Sequence, residues 1–287
     1  MPELVFAIPG DITLRTGGYI YDRRVLALLP AAGVRAEHLP LPGGYPSPTP
    51  DDLAATARAF SDLPPDTVLL VDGLAYGAMP PDVISQARCP IVALVHHPLC
   101  LEAGLPVERQ VDLNASESAA LALASHVIVT SPTTARTLTA EFSVPAEKIT
   151  VAEPGTDKAG RVRPRHPIQM RHGPRLLAAG SIVPRKGYDI LVRALARLCH
   201  LDWHLTIAGD PDRSPETAAA LEAQIRRSGL RDRIELAGVV DTHTLAKLYR
   251  QADVFVTASL YEGYGMVLSE ALARGLPIVA TTGGAAA

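Results

Sequence analysis

Cysteine is scarce in this sequence, and long uncharged apolar runs are missing. The 287 residues include three cysteines, Cys89, Cys100 and Cys199. An odd number at wide spacing fits neither a disulfide framework nor a zinc site, so we interpret them as buried or idle thiols in a reducing compartment. No apolar run approaches the roughly 20 residues that a membrane helix needs, and the N-terminus lacks the basic flank of a signal peptide. We therefore expect a cytoplasmic protein, and peripheral contact with the inner membrane face stays open.

Positive charge is not in excess either. Lysine and arginine number 27 against 30 acidic residues, which gives a net charge of −3. No surplus of cations awaits a phosphate backbone, so nucleic acid is not an expected partner. The dinucleotide, P-loop, zinc-protease and serine-hydrolase motifs GxGxxG, GxxxxGK[ST], HExxH and GxSxG do not occur. The 47% of hydrophobic residues exclude global disorder and allow one large or two ordinary domains.

What the sequence does contain is an alternation of short β-rich runs with longer stretches of helical period. This pattern predicts an α/β fold with parallel sheets covered on both faces. In the first half we predict strands at 4–8, 34–39, 67–71, 91–95, 127–130 and 149–152, and helices at 19–29, 52–60, 116–124 and 133–142. In the second half we predict strands at 176–179, 204–208, 234–237, 254–257 and 278–280, and helices at 188–198, 216–228, 242–251 and 266–273.

A proline-rich and basic stretch separates the two halves. Residues 154–174 carry several prolines and the run from Arg161 to His166, with almost no apolar periodicity. This composition is typical of a linker. We predict a first Rossmann-like domain at 1–153, a linker at 154–174 and a second domain at 175–287, with ligands binding in a cleft between the domains.

The most informative motif lies between residues 259 and 272, at a predicted strand-to-helix transition. Its glycines allow the backbone to approach a ligand, and the free amides at the helix start suit a phosphate. Glu262 precedes the helix and Glu270 lies about two turns inside it, so the two carboxylates can accept hydrogen bonds from separate points of one extended ligand. The amides that we expect to suit a phosphate are those of Gly265, Met266 and Val267.

A second motif follows the first strand of the second half. The segment from Gly180 to Gly187 contains the adjacent cations Arg185 and Lys186 in a glycine-flanked turn. Such a turn directs both cations to the carboxyl end of the strand, where ligands of open α/β sheets bind.

The first half offers weaker candidates at the ends of its strands. Gly17 and Gly18 follow the first strand, and two imidazoles, His96 and His97, follow the fourth. Asp72 ends the third strand, and we interpret it as a structural residue.

Together these segments resemble family 4 glycosyltransferases, the group 1 enzymes with retaining chemistry and the two-domain GT-B fold. The motif E-x7-E with its glycines, the G-x5-KG loop and the Gly-Gly turn carry the resemblance, and Tyr264 stands where a phenylalanine is usual. The resemblance implies a nucleoside-diphosphate sugar as co-substrate, with neither a metal nor a separate cofactor. The family continues beyond the strand at 278–280, so we also expect the second domain of this chain to be truncated.

The resemblance also implies roles for individual residues. Glu262 would lie by the donor sugar and Glu270 at the ribose, while Arg185 and Lys186 would neutralise the diphosphate. The remaining implied contacts are Gly17 and Gly18 toward donor and acceptor, His96 in preference to His97 at the transferred sugar, and the backbone of Val239 at the nucleobase.

The sequence leaves the acceptor open between a glycan, a lipid and a small molecule. Two other functions also stay open: a GT-B-fold nucleotide-sugar epimerase, and a non-catalytic subunit that binds a nucleotide or a partner.

Overall fold

The computed structural model describes residues 3–160 and 173–286. The chain divides into two compact units, Met1–Pro154 and Gly155–Ala287, and each contains its own parallel sheet. Most of the predicted linker, including the run from Arg161 to His166, lies outside the described residues.

The first unit is a six-stranded sheet in the order β2-β1-β3-β4-β5-β6. Its strands are β1 Leu4–Pro9, β2 Ala36–Leu41, β3 Val68–Asp72, β4 Ile91–Val95, β5 His126–Val129 and β6 Ile149–Val151. Its helices are α1 Gly17–Leu28, α2 Pro50–Ser61, α3 Gly73–Tyr76, α4 Pro81–Ile84, α5 Val107–Leu123 and α6 Pro132–Glu141. Every strand pair is parallel, so the strands all end at the same edge.

The second unit is a five-stranded parallel sheet in the order β11-β10-β7-β8-β9. Its strands are β7 Arg175–Ala179, β8 His204–Ala208, β9 Ile234–Gly238, β10 Val254–Thr257 and β11 Ile278–Ala280. Its helices are α7 Tyr188–Ala196, α8 Pro215–Arg227, α9 Thr242–Gln251 and α10 Met266–Ala273.

Both faces of each sheet are buried, which explains the continuous apolar runs of the strands. In β1, Val5 and Ala7 belong to one core cluster, whereas Phe6 and Ile8 belong to the cluster on the opposite face. Alternation with period two sends neighbouring side chains to opposite faces, and helices cover both. The predicted α/β class with covered parallel sheets is confirmed.

Local sequence signals set several helix ends. Ser131 caps α6 by accepting a hydrogen bond from the Thr134 amide, with Pro132 in the first turn. Two predicted boundaries differ clearly from the structure. Strand β2 runs over Ala36–Leu41, two residues later than the predicted 34–39. Helix α5 begins at Val107, nine residues before the predicted start at Ser116. The first turns of α5 expose Val107 and Val111, so they lack the apolar stripe that periodicity detects.

Two further expectations concerned the state of the cysteines and the lack of a membrane-spanning helix. Cys89 and Cys100 are buried, Cys199 is exposed, and all three are free. Among the described residues, no helix has the length and apolar character needed to cross a membrane.

Candidate functional site

The two predicted cations of the second unit lie in a short 3₁₀ turn, Pro184–Lys186, between β7 and α7. Gly187 ends this turn with a φ of +59°, and a Cβ there would come within 2.1 Å of the carbonyl oxygen of Ala258. Only glycine combines that conformation with such a close approach. The backbone of the turn is therefore pressed against the segment that follows β10.

Glu262 is buried beside these cations, with 5% of its surface exposed. Its Oε1 lies 2.7 Å from Nζ of Lys186, and its Oε2 lies 3.7 Å from Nη1 of Arg185. Arg185 also donates to the carbonyl of Tyr261 at 2.9 Å. The structure thus brings three predicted site residues together, at the carboxyl ends of the adjacent strands β7 and β10.

The charge of Glu262 is maintained by its neighbours. Burial alone would raise the pKa of this carboxyl, but the charge and hydrogen bond of Lys186, with smaller contributions from Ser259 and Arg185, hold the pKa below its usual range. Glu262 is consequently an anion at neutral pH. The cluster of Arg185, Lys186 and Glu262 has two positive charges and one negative, which leaves a net positive charge for an anionic ligand.

The backbone of Glu262 is held from the opposite side by the turn after β11. Its amide donates to the carbonyl of Gly283 at 3.2 Å, and its carbonyl accepts from the amide of Ala285 at 2.8 Å. A Cβ at Gly283 would lie 2.2 Å from the carbonyl oxygen of Leu260, and one at Gly284 would lie 2.4 Å from that of Glu262. The two glycines are therefore required for this contact.

The helix that follows Glu262 is α10, and Gly265 is its N-cap, with a φ of +87°. The amides at a helix start have no intrahelical acceptor and lie at the positive end of the helix dipole. Gly265, Met266 and Val267 occupy this first turn, as predicted. The turn offers backbone donors to an anion.

Glu270 lies further along α10, partly buried next to the phenol of Tyr249. Burial, followed by the charge and hydrogen bond of Glu270, raises the pKa of Tyr249. Arg274 stacks over the same ring at 4.4 Å and donates to the backbone carbonyl of Glu270 at 2.7 Å. The remaining candidate of this unit, Val239, directly follows β9 and is 58% exposed.

In the first unit, His96 follows β4 and meets two carboxylates. Its Nε2 lies 2.9 Å from Oδ1 of Asp22, on α1, and 3.3 Å from Oδ2 of Asp72, at the end of β3. The other oxygen of Asp72 accepts from the Leu74 amide at 2.8 Å, so Asp72 also caps α3. Asp72, which we interpreted as structural, thus caps α3 and also contacts His96, whereas Asp22 was not among the predicted residues.

Glycine at position 18 makes room for this imidazole. A Cβ there would lie 3.3 Å from Cδ2 of His96. Gly17 begins α1, and Thr16 caps the helix by accepting from the Tyr19 amide at 3.3 Å. The predicted pair of glycines therefore forms the helix start that packs against the predicted histidine.

These three side chains are also the group of potential metal ligands within the described residues. One oxygen of Asp22, one of Asp72 and a ring nitrogen of His96 lie within 4.8 Å of one another. We expected no metal from the sequence, and the convergence could not be read from spacing because Asp22 and His96 are 74 residues apart. The one feature of the sequence that could have pointed to Asp22 is its position, four residues after Gly18 on a helix that packs against the sheet.

A further buried acid supports the segment after His96. Glu117, on α5, accepts from the Leu99 amide at 2.8 Å. Burial raises the pKa of Glu117 to about 8, although the Leu99 hydrogen bond opposes the shift. The neighbouring His97 takes a different environment, with its Nε2 3.6 Å from Oε2 of Glu102.

Comparison with family models covers nearly the whole chain. A model described as glycosyl transferases group 1 matches residues 173–287, and one described as a glycosyl transferase 4-like domain matches residues 11–155.

Curated relatives align over part of the chain. Mannosylfructose-phosphate synthase of Agrobacterium fabrum is 32% identical over 172 residues, which cover 55% of this chain and 38% of the relative. D-inositol 3-phosphate glycosyltransferase of Xylanimonas cellulosilytica is 38% identical over 111 residues, which cover 39% and 26%. The chain thus spans less than half the length of these relatives.

Solved structures align over almost the entire chain. Sucrose-phosphate synthase from Thermosynechococcus elongatus matches with a TM-score of 0.77 at 22% identity, over 98% of this chain and 82% of that one. Anabaena Alr3699/HepE in complex with UDP and glucose matches with a TM-score of 0.69 at 20% identity, over 98% and 82%. These similarities confirm the predicted GT-B fold.

Proposed function

The chain belongs to the group 1 glycosyltransferases, and on this premise we propose that it transfers a hexosyl group from a nucleoside-diphosphate sugar to an acceptor, with retention of anomeric configuration and without a metal ion. The cluster of Arg185, Lys186 and Glu262 is the observation that carries the proposal. Two cations and an ionised carboxylate at the ends of adjacent parallel strands match what a sugar diphosphate requires.

The proposed binding mode assigns the diphosphate to the cations. Its oxygens accept hydrogen bonds from Arg185 and Lys186 and from the amides at the start of α10. Charge-assisted contacts of this kind are about twice as strong as neutral ones. Glu262 keeps Lys186 in place before the donor arrives and accepts from hydroxyls of the sugar ring.

The chemical step follows from where charge develops. The bond between C1 of the sugar and the diphosphate oxygen breaks, and the leaving diphosphate gains negative charge. Fixed cations stabilise that charge more in the transition state than in the ground state. The acceptor oxygen forms its bond to C1 on the same face, and its proton passes to an oxygen of the departing phosphate.

The relatives suggest which substrates to test first. Anabaena Alr3699/HepE is solved with UDP and with UDP-glucose, so a UDP-hexose heads the donor panel. The relatives named as mannosylfructose-phosphate synthase and D-inositol 3-phosphate glycosyltransferase place phosphorylated sugars and polyols first in the acceptor panel.

The test combines binding with product analysis. A ligand that binds only the native state raises its stability by about 2.7 kcal/mol at one hundred times its dissociation constant. We expect one nucleoside diphosphate and its sugar conjugate to raise the melting temperature, and mass spectrometry to show transfer with the anomeric configuration kept.

A matched pair of variants sharpens this test. Arg185→Ala should abolish the ligand-induced rise in melting temperature. Arg193→Ala, which removes an exposed arginine from the following helix α7, should preserve it. Isomerisation of the donor without transfer would identify an epimerase instead. Binding without turnover on any acceptor would identify a non-catalytic subunit.

A further inference from the structure

The buried phenol of Tyr249 lies between α9 and α10 in the second unit. Tyr249 is on α9, 0% of its surface is exposed, and it shares a core cluster with Leu268 and Ala271 of α10. Its ring stacks on Phe255 of β10, with centroids 5.9 Å apart and an interplanar angle of 22°. Because side chains packed this closely are confined to one rotamer, the hydroxyl has a fixed position against α10.

The hydroxyl of Tyr249 meets two acceptors of α10. It lies 3.2 Å from the carbonyl oxygen of Val267, in the first turn, and it forms a hydrogen bond with the side chain of Glu270. A phenol has a single proton to donate, and a carboxylate is a stronger acceptor than a backbone carbonyl. The phenol is therefore placed to hold Glu270 while it stays in contact with the turn that presents the free amides.

Arg274 adds a second restraint on Glu270. Its guanidinium lies 4.4 Å from the centroid of the Tyr249 ring, and its Nη1 donates to the backbone carbonyl of Glu270 at 2.7 Å. A cation over an aromatic face is attracted to the ring. The side chain and the backbone of Glu270 are thus both tied to the same phenol ring, the first directly and the second through Arg274.

We propose that Tyr249 is a positioning residue for the nucleotide, whose phenol holds the Glu270 carboxylate and the first turn of α10 in the orientation that the donor needs. This role rests on the proposed function, with Glu270 at the ribose, as the family resemblance implies, and the α10 amides at the diphosphate. A carboxylate has about four acceptor sites, so the bond from the phenol leaves sites for ribose hydroxyls. A carboxylate that is already ordered costs less conformational entropy when the nucleotide binds.

Tyr249→Phe tests the proposal because it removes the hydroxyl and keeps the buried ring. Calorimetry of the full chain with ADP, GDP and UDP gives the Kd of the free nucleotide, and kinetics give KM and kcat. We expect Kd and the donor KM to rise by about threefold to tenfold, the value of one hydrogen bond. The ribose does not react, so kcat should change by less than about twofold. A side chain with a purely structural role would not produce this split.

A double-mutant cycle tests whether Tyr249 acts through Glu270. Glu270→Ala removes the carboxylate and keeps high helix propensity. In that background, Tyr249→Phe should change Kd by no more than about twofold, because the group that it positions is gone. The same increase in Kd in both backgrounds would overturn the proposal.

Tyr76→Phe is the matched control. Tyr76 belongs to the first unit, is also 0% exposed, and donates to a helix carbonyl, that of Ala120, at 2.8 Å. This variant should leave the Kd of the nucleotide unchanged. Equal weakening in Tyr76→Phe and Tyr249→Phe would indicate a general loss of stability and would overturn the proposal, as would an unchanged Kd in Tyr249→Phe.

A measurement without ligand separates this proposal from the proposed function. Chemical unfolding of the wild type, Tyr249→Phe, Glu270→Ala and the double variant measures the coupling between phenol and carboxylate directly. Tyr249→Phe should destabilise the wild type more than it destabilises Glu270→Ala. Nucleotide binding with additive unfolding effects would overturn this proposal alone. Coupling without binding of any nucleoside diphosphate would overturn the sugar-transfer proposal, and with it the role of Tyr249 toward a nucleotide.

Discussion

Glu117→Gln should make the folded protein less sensitive to alkaline pH. Glu117 is 1% exposed, and its Oε1 has no hydrogen-bond partner within the described residues. Ionisation therefore leaves a poorly compensated charge in the core, which is why burial raises the pKa from 4.5 to about 8. Glutamine keeps the shape, and its oxygen can still accept from the Leu99 amide.

The magnitude follows from linkage between protonation and folding. Between pH 4.5 and about 8 the folded state retains the Glu117 proton and the unfolded state does not, so the free energy of unfolding falls as pH rises. Each unit of pKa difference corresponds to about 1.36 kcal/mol. Over the interval from pH 5.5 to 8 the loss is about 3 kcal/mol, and the variant should escape it.

Urea denaturation followed by far-ultraviolet circular dichroism at pH 5.5 and pH 8.5 measures this difference. The comparison is the change in variant-minus-wild-type stability between the two pH values, so a constant offset from the substitution cancels. Glu108→Gln, at an exposed position of the same helix, is the control and should show no pH-dependent gain. An equal difference between variant and wild type at both pH values would refute the reasoning.

Three further predictions concern the second unit. Lys186→Ala should lower the free energy of unfolding by about 3–5 kcal/mol, because it removes the partner of the buried Glu262 charge. The double variant Lys186→Ala with Glu262→Gln should recover much of that loss. Equal losses in the single and the double variant would contradict this coupling. Glu262→Gln should lower turnover by a larger factor than it changes free nucleoside diphosphate binding, whereas Glu270→Gln should mainly raise the donor Michaelis constant and weaken the free nucleotide. Calorimetry and kinetics that showed the reverse would reject the assigned roles. Activity should survive EDTA, and a loss restored only by adding back Mg²⁺ or Mn²⁺ would disprove metal independence.

The two cations of the turn between β7 and α7 are more buried than a solvent-exposed ligand loop requires. The side chains of Arg185 and Lys186 are only 20% and 13% exposed, and both face the buried Glu262. The pairing joins residues 76 positions apart, and no local pattern reveals such a contact. Binding and stability are consequently linked in this loop, and the double variant Arg185→Ala with Lys186→Ala would change both.

Strands and most helices could be predicted because their signals are local. Continuous apolar runs bounded by turn residues mark β4, β8, β10 and β11, whose observed bounds equal the predicted ones. The start of α5 could not be predicted because its first turns are solvent-exposed and carry no apolar period. The meeting of Asp22, Asp72 and His96 escaped for a different reason: it depends on strand order, which is a property of the folded sheet.

The double glycine after β11 has a consequence for protein engineering. Gly283 and Gly284 hold the backbone of Glu262, while Lys186 holds its side chain, so segments that follow three different strands form one mechanical unit. Grafting residues 259–265 onto another scaffold would transfer the sequence of the motif without the contacts that hold Glu262 in position. A library that varies this loop should therefore keep both glycines and Lys186 constant. A side chain introduced at position 283 should displace Glu262, about twenty residues away in the sequence, and lower activity as much as replacing Glu262 itself.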